Sequence, residues 1–217
     1  MAKDHLRLLL LLPALAAAGC ATLSESECHT ADWRELGRSD GAHGYEASRL
    51  GDHMEACGKY GVTPDGDAYR AGRSEGLQQY CQPDNALQLG RSGNGYNSVC
   101  PGESGAIFVA YYNRGATLHA IDGDLVDLHG YLDEERRAQD ATKDLGAYKL
   151  MAQNVRYLER QSDYLNMRLD RAQQDISAGR DPEYYAAGQW KSGIPYPDAR
   201  KAAEHHDEHH DDGNGHH

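Results

Sequence analysis

Residues 72–81 read GRSEGLQQYC, and that stretch has relatives elsewhere in the chain. Residues 37–45 read GRSDGAHGY, and residues 90–100 read GRSGNGYNSVC. Set on a helix, Gly72, Gly76 and Tyr80 fall four residues apart, and Gly37, Gly41 and Tyr45 repeat the spacing, with Trp33 one step earlier. Residues so spaced lie along one side of an α-helix. Glycine within a helix costs about 1 kcal/mol relative to alanine, so repeating it on one stripe makes sense where another backbone passes very close. Each stripe is then expected to end in an aromatic ring that packs over the partner helix.

The pattern fades further along. Gly90 is followed at the next step by Asn94, and Gly93-Asn94-Gly95 reads as a turn. Tyr111 and Gly115 echo the spacing without the Arg-Ser pair. Thr63-Pro64-Asp65 marks a helix start, a cap followed by proline in the first turn. Residues 31–115 are therefore expected to form several short helices packed through glycine stripes.

Two chemical readings of the same letters compete with packing. Glycine-rich turns with Arg38, Arg73 and Arg91 would suit anion binding. No P-loop or dinucleotide fingerprint accompanies them, and Asp40 and Glu75, two residues after their arginines, are candidate partners. Residues 37–41 and 72–76 also match G-x-S-x-G, which places a nucleophilic serine on a strained strand-to-helix turn. The flanks DWREL and GDAYRA lack the β-branched strand that such a turn follows. An enzyme using Ser39 or Ser74 with His43 or His53 is accordingly the least favoured reading, and no catalytic residue is assigned.

From Asp32-Trp33 through GRSDGAHGY, RLGDHMEAC, GVTPDGDAYRAGRSEGLQQYC and LGRSGNGYNSVCP, the chain resembles the bacterial domain-of-unknown-function family 2799, small envelope lipoproteins of Gram-negative bacteria. The likeness covers roughly residues 25–115. It implies an exported, cysteine-bearing domain with a helical extension, and it carries no activity to transfer.

The N-terminus points the same way on its own. Lys3 and Arg7 precede the apolar run LLLLLPALAAAG, which is shorter than the about 20 residues of a spanning helix. Ala17-Ala18-Gly19-Cys20 reads as a lipobox, making residues 1–19 a lipoprotein signal peptide and Cys20 the lipid anchor. Several acyl chains such as palmitate on one cysteine hold a membrane far more firmly than one. Ala21 after the cysteine suggests sorting to the outer membrane, with the chain on its periplasmic side and residues 20–30 as linker. Ordinary signal cleavage, leaving Cys20 a thiol, is the alternative.

Cys28, Cys57, Cys81 and Cys100 remain. An even set in an exported chain reads as disulfides, with three pairings open. Short local loops favour Cys28–Cys57 with Cys81–Cys100. A four-thiolate zinc site competes, but no Cys-x-x-Cys pair supports it. The net charge of −12 leaves no basic footprint for nucleic acid, which is not expected as a partner. Tyrosine appears 14 times and phenylalanine once, so the aromatic surface suits half-buried positions.

From Leu118 the periodicity changes. Leu118, Ile121, Leu125, Leu128 and Leu132 alternate steps of three and four. A second seam runs through Leu145, Tyr148, Ala152 and Val155, then Leu158, Ser162, Leu165, Leu169, Ala172 and Ile176. Residues 116–180 thus read as coiled-coil helices, either a hairpin turning near residues 141–144 or one long helix that self-associates, the hairpin being preferred. Asp181-Pro182 is expected to end the helical region.

Residues 181–217 read as a disordered tail rich in His and Asp. His205, His206, His209, His210, His216 and His217 alternate with carboxylates, a composition that accepts zinc, nickel or copper weakly. No cofactor is required by any motif. His29, His43, His53, His119 and His129 are scattered, and His53 reads as a packing or capping histidine. The fold expected is mainly α: a small disulfide-stapled, glycine-rich helical domain, then a long coiled-coil helix or hairpin. The role expected is a non-catalytic envelope lipoprotein that binds a protein or cell-wall partner, or else a periplasmic metal-binding protein.

Overall fold

The computed structural model describes residues 23–208, with side chains described as far as residue 203. The described residues form helices and no strand, and the chain divides into two compact units between Leu77 and Gln78. Cys20 and the expected signal peptide, residues 1–19, lie outside the described residues.

The first unit holds α1 (Glu25–Thr30), α2 (Trp33–Ala42), α3 (Arg49–Gly58) and most of α4 (Gly66–Tyr80). Each start has a local chemical cause. Ser24 and Glu27 form a reciprocal capping box on α1. Asp32 accepts the first free amides of α2, from Arg34 and Glu35, at 3.0 and 3.1 Å. Asp65, rather than Thr63, caps α4, taking the amides of Asp67 and Ala68 at 3.1 and 2.9 Å.

Helices α2 and α4 meet along their glycines, each helix offering carbonyls to the other. A methyl group added at Gly72 would overlap the Arg34 carbonyl oxygen, and one at Gly76 that of Arg38. In return, Gly37 faces the Tyr69 carbonyl and Gly41 that of Arg73. The first two repeats are therefore partners in one helix pair. Tyr45 departs from the expected stripe: α2 ends at Ala42, Gly44 turns the chain at φ +71, and Tyr45 is 43% exposed beyond the helix.

Disulfide Cys28–Cys57 joins α1 to α3, with both sulfurs' residues buried. Cys81–Cys100 closes a loop in the second unit, and both pairs sit at ordinary Cα separations of 5.4 and 5.7 Å. Replacing Cys81 and Cys100 together by alanine is expected to cost about 3 kcal/mol for a loop of 19 residues. Urea titration of the oxidised wild type against the double variant measures it.

The second unit contains α5 (Pro83–Arg91), α6 (Gly102–Ala141), α7 (Leu145–Ser177), a short 3₁₀ turn (Gln189–Gly193) and α8 (Ala199–Glu208). Pro83 opens α5 where a missing amide is harmless. The two faded repeats meet here. A methyl group on Gly90 would strike the backbone at Tyr112 and Ala116, and one on Gly115 the backbone at Leu87 and Arg91. Phe108, fully buried, lies under Tyr80 and Tyr96, ring centroids 5.3 and 4.5 Å away. Helix α6 runs unbroken from Gly102, so the expected division at residues 115 and 116 falls inside one helix. The glycine contact and the leucine seam occupy successive lengths of it.

Helices α6 and α7 are antiparallel arms of a hairpin, turned at residues 142–144 and restarted by the Asp144 cap on Ala147. Leu118, Ile121, Leu125, Leu128 and Leu132 face Leu158, Leu165 and Ala172 in one core. The first turns of α7 correct the expected register: Leu145 and Tyr148 are 65% and 45% exposed, whereas Ala147, Met151 and Asn154 are buried. Helix α7 ends at Ser177, and Gly179 reverses the chain at φ +73, before Asp181-Pro182 is reached.

The expected disordered tail from residue 181 is also corrected. Residues 181–203 return along the hairpin as a strap. Trp190 is 3% exposed and joins the leucine core with Tyr185 and Ile194. Further on, Ala199 and Ala203 pack with Ala147 and Met151.

Candidate functional site

The first unit is centred on three polar side chains from three helices. Asp40 lies on α2, His53 on α3 and Tyr69 on α4. Asp40 Oδ2 meets His53 Nε2 at 2.8 Å and accepts the Tyr69 hydroxyl at 2.7 Å. Asp40 is 6% exposed, and His53 and Tyr69 1% each. The His53 and Tyr69 rings pack edge to face at 5.6 Å. Burial and the bond to Asp40 hold the Tyr69 phenol well above its ordinary ionisation range. The cluster is a lock between helices, in which one carboxylate satisfies two buried donors.

The matched serines sit elsewhere. Ser39 lies within α2 and Ser74 within α4, both exposed, and neither occupies a strand-to-helix turn. His43 Nδ1 bonds the carbonyl of Ser39, at 2.8 Å, rather than its hydroxyl. The repeated arginines also separate. Arg38 pairs with Glu35, Arg34 with Glu75, and Arg73 donates to the Tyr45 carbonyl at 2.7 Å. Pairing of Arg38 with Asp40 and Arg73 with Glu75 does not occur, since residues two apart on a helix point in opposed directions. Being exposed, these ion pairs are screened by solvent and contribute little to stability.

In the second unit three buried polar residues tie the strap to the hairpin. Asp124 accepts the Tyr185 hydroxyl and the Gly188 amide, the latter at 2.6 Å. Asn154 clasps the backbone of Tyr196, accepting its amide at 2.9 Å and donating to its carbonyl at 2.7 Å. Asn154 also donates to Glu135 at 2.6 Å, and Arg200 brings its guanidinium within 3.3 Å of the other Glu135 oxygen. None of these residues carried a functional signal in the sequence, because a polar letter at a seam position reads as surface. His129 Nε2 meets Ser162 Oγ at 2.8 Å across the hairpin.

Tyr185, like Tyr69, is raised by burial and by its carboxylate partner. A phenol whose folded pKa lies above its unfolded value of about 10 stabilises fully below that pH, and the stabilisation is lost as pH rises further. Thermal melts should therefore fall steeply above about pH 10, and the combined Tyr69→Phe and Tyr185→Phe variant should show a flatter alkaline limb.

Among the described residues, no group of three or more His, Cys, Asp or Glu side chains is placed to hold a metal ion. The candidate ligands His205, His206, His209, His210, His216 and His217 lie outside the described side chains. No helix among the described residues is long and apolar enough to cross a membrane.

Comparison with known proteins gives one finding. No curated protein and no solved structure matches the chain. A family model described as "Protein of unknown function (DUF2799)" matches residues 32–117, from the cap of α2 into α6. That span contains both glycine-packed helix pairs and three of the four cystine residues. Over residues 32–117 the chain is similar to the DUF2799 family, whose function is not known.

Proposed function

We propose that this protein is a non-catalytic lipoprotein of the cell envelope, anchored through Cys20 to the outer membrane and serving there in a protein or cell-wall interaction. One observation carries the reading: two cystines staple small helical cores in a chain whose first residues read as an export signal ending in a lipobox. Disulfides persist in oxidising compartments and are rare in the cytosol. Supporting it further, the buried polar residues of both units hold helices and strap together.

The direct test is Cys20→Ala. The variant is expected to move from the membrane fraction to the soluble periplasmic fraction, because its acyl anchor is gone. Retention of the variant in membranes at wild-type levels would overturn the lipid-anchored reading. Crosslinking in intact envelopes then tests the interaction role, for which a wholly monomeric, partner-free protein is the adverse result.

A second reading, periplasmic divalent-metal binding, rests on the density of imidazole and carboxylate in residues 204–217. Such tracts accept zinc, nickel and copper. Removing that segment separates the two readings: lost metal binding together with lost metal tolerance favours the second, unchanged tolerance the first.

A further inference from the structure

The second unit carries a groove of about 620 Å³ between the end of α5, the middle of α6 and the end of α7. Leu87, Leu118 and Ile176 supply aliphatic surface, and Arg91 is the one charged residue of the lining. Gln88, Ser92, Gln173 and Ser177 complete it. Three neighbouring hollows in the same unit differ: each is lined by at least one carboxylate, from Asp163 and Asp170, from Asp181, or from Asp175 and Glu183. Unlike those three hollows, this groove in a chain of net charge −12 is lined by an arginine and no acid.

We propose that this groove binds a single-chain amphiphile with an anionic head, a long-chain carboxylate, the chain lying on Leu87, Leu118 and Ile176 and the head on Arg91. The size falls within the roughly 300–1,000 Å³ of small-molecule sites. No aromatic ring lines the groove, so a planar ligand finds no stacking partner, whereas methylenes meet aliphatic side chains. The charge selects the head. Arg91 is half exposed and forms an ion pair with the half-exposed Asp122 at 3.9 Å, longer than a hydrogen bond, so a bound carboxylate head competes with Asp122 for the guanidinium. A guanidinium presents five donors in a fork suited to a carboxylate. Leu118, 3% exposed, is already packed in the leucine core and forms the floor of the groove, while Leu87 and Ile176 are partly exposed along it. This binding does not depend on the chain being lipid-anchored.

The test is isothermal titration of the purified oxidised chain with octanoate, decanoate, dodecanoate and neutral dodecanol, all below their micelle concentrations. Saturable binding at one site is expected, tightening about fourfold per added methylene. Arg91→Gln should weaken dodecanoate about tenfold while leaving dodecanol and the melting temperature unchanged. Ile176→Ser should weaken both ligands. Absence of saturable dodecanoate binding, affinity independent of chain length, or equal dodecanoate affinity in Arg91→Gln would each overturn the proposal.

Discussion

Gly72→Ala is expected to destabilise the first unit by about 3 kcal/mol or more, even though alanine is the better helix former by about 1 kcal/mol. The added methyl group falls on the Arg34 carbonyl, which belongs to a helix backbone and not to a side chain that can swing away. Relief requires α2 and α4 to separate, and separation removes the reciprocal fit at Gly37, Gly41 and Gly76 as well. The Gly72→Ala, Gly76→Ala double variant should leave the first unit unfolded, given that whole domains are stable by only about 5–15 kcal/mol. Gly51 and Gly123 are the controls. Gly51, in the first turn of α3, and Gly123, within α6, each have nothing within 4 Å of an added methyl among the described residues. Alanine there should raise stability by up to about 1 kcal/mol. Urea unfolding followed by far-ultraviolet circular dichroism reads all four. A Gly72→Ala protein as stable as wild type would remove the helix-pair account of the repeats.

Asp40→Ala should cost about 3–5 kcal/mol, of the same order as breaking a buried ion pair. The carboxylate is the acceptor for Tyr69 and the partner of His53, and its loss leaves two buried groups short of a bond inside a sealed core. Tyr69→Phe removes one of those donors and should cost less, about 1–2 kcal/mol. In the double variant the Tyr69 hydroxyl is no longer stranded, so the combined effect should fall short of the sum of the two single effects. Strict additivity would show that Asp40 and Tyr69 act separately. Amide hydrogen exchange in α2, α3 and α4 gives a second readout, since the lock joins all three.

Glycine spacing was readable because it is periodic. A small residue recurring at helical intervals has few explanations other than close approach, and two short cystine loops narrow the ways the segments can close. The leucine seam of α6 was readable for the same reason, being five apolar residues in strict alternation. Tyr45 shows where such reading stops: its spacing continues the stripe, but Gly44 has already turned the chain out of the helix. The early seam of α7 was misplaced because Asn154 holds a buried position that an apolar pattern skips, and its burial becomes affordable only once Tyr196 and Glu135 arrive to satisfy it. The pairing of the faded repeats escaped for a related reason. Gly90 and Gly115 each look like poor copies of the motif, and only together do they form one contact.

By itself the amino-acid order determined the helical class, the cystine-stapled glycine-rich segment and the leucine-lined arms that follow, because each depends on local periodicity or on residue types with few structural uses. Only the tertiary structure decided which glycine stripe faces which, that the long helices fold back as a hairpin, and that residues 181–203 are a docked strap. It also decided that Asp40, Asp124, Glu135 and Asn154 belong inside. A polar side chain is stable in a protein interior only when its partners are delivered there, and those partners lie from 13 residues away, for Asp40 and His53, to 65, for Glu135 and Arg200.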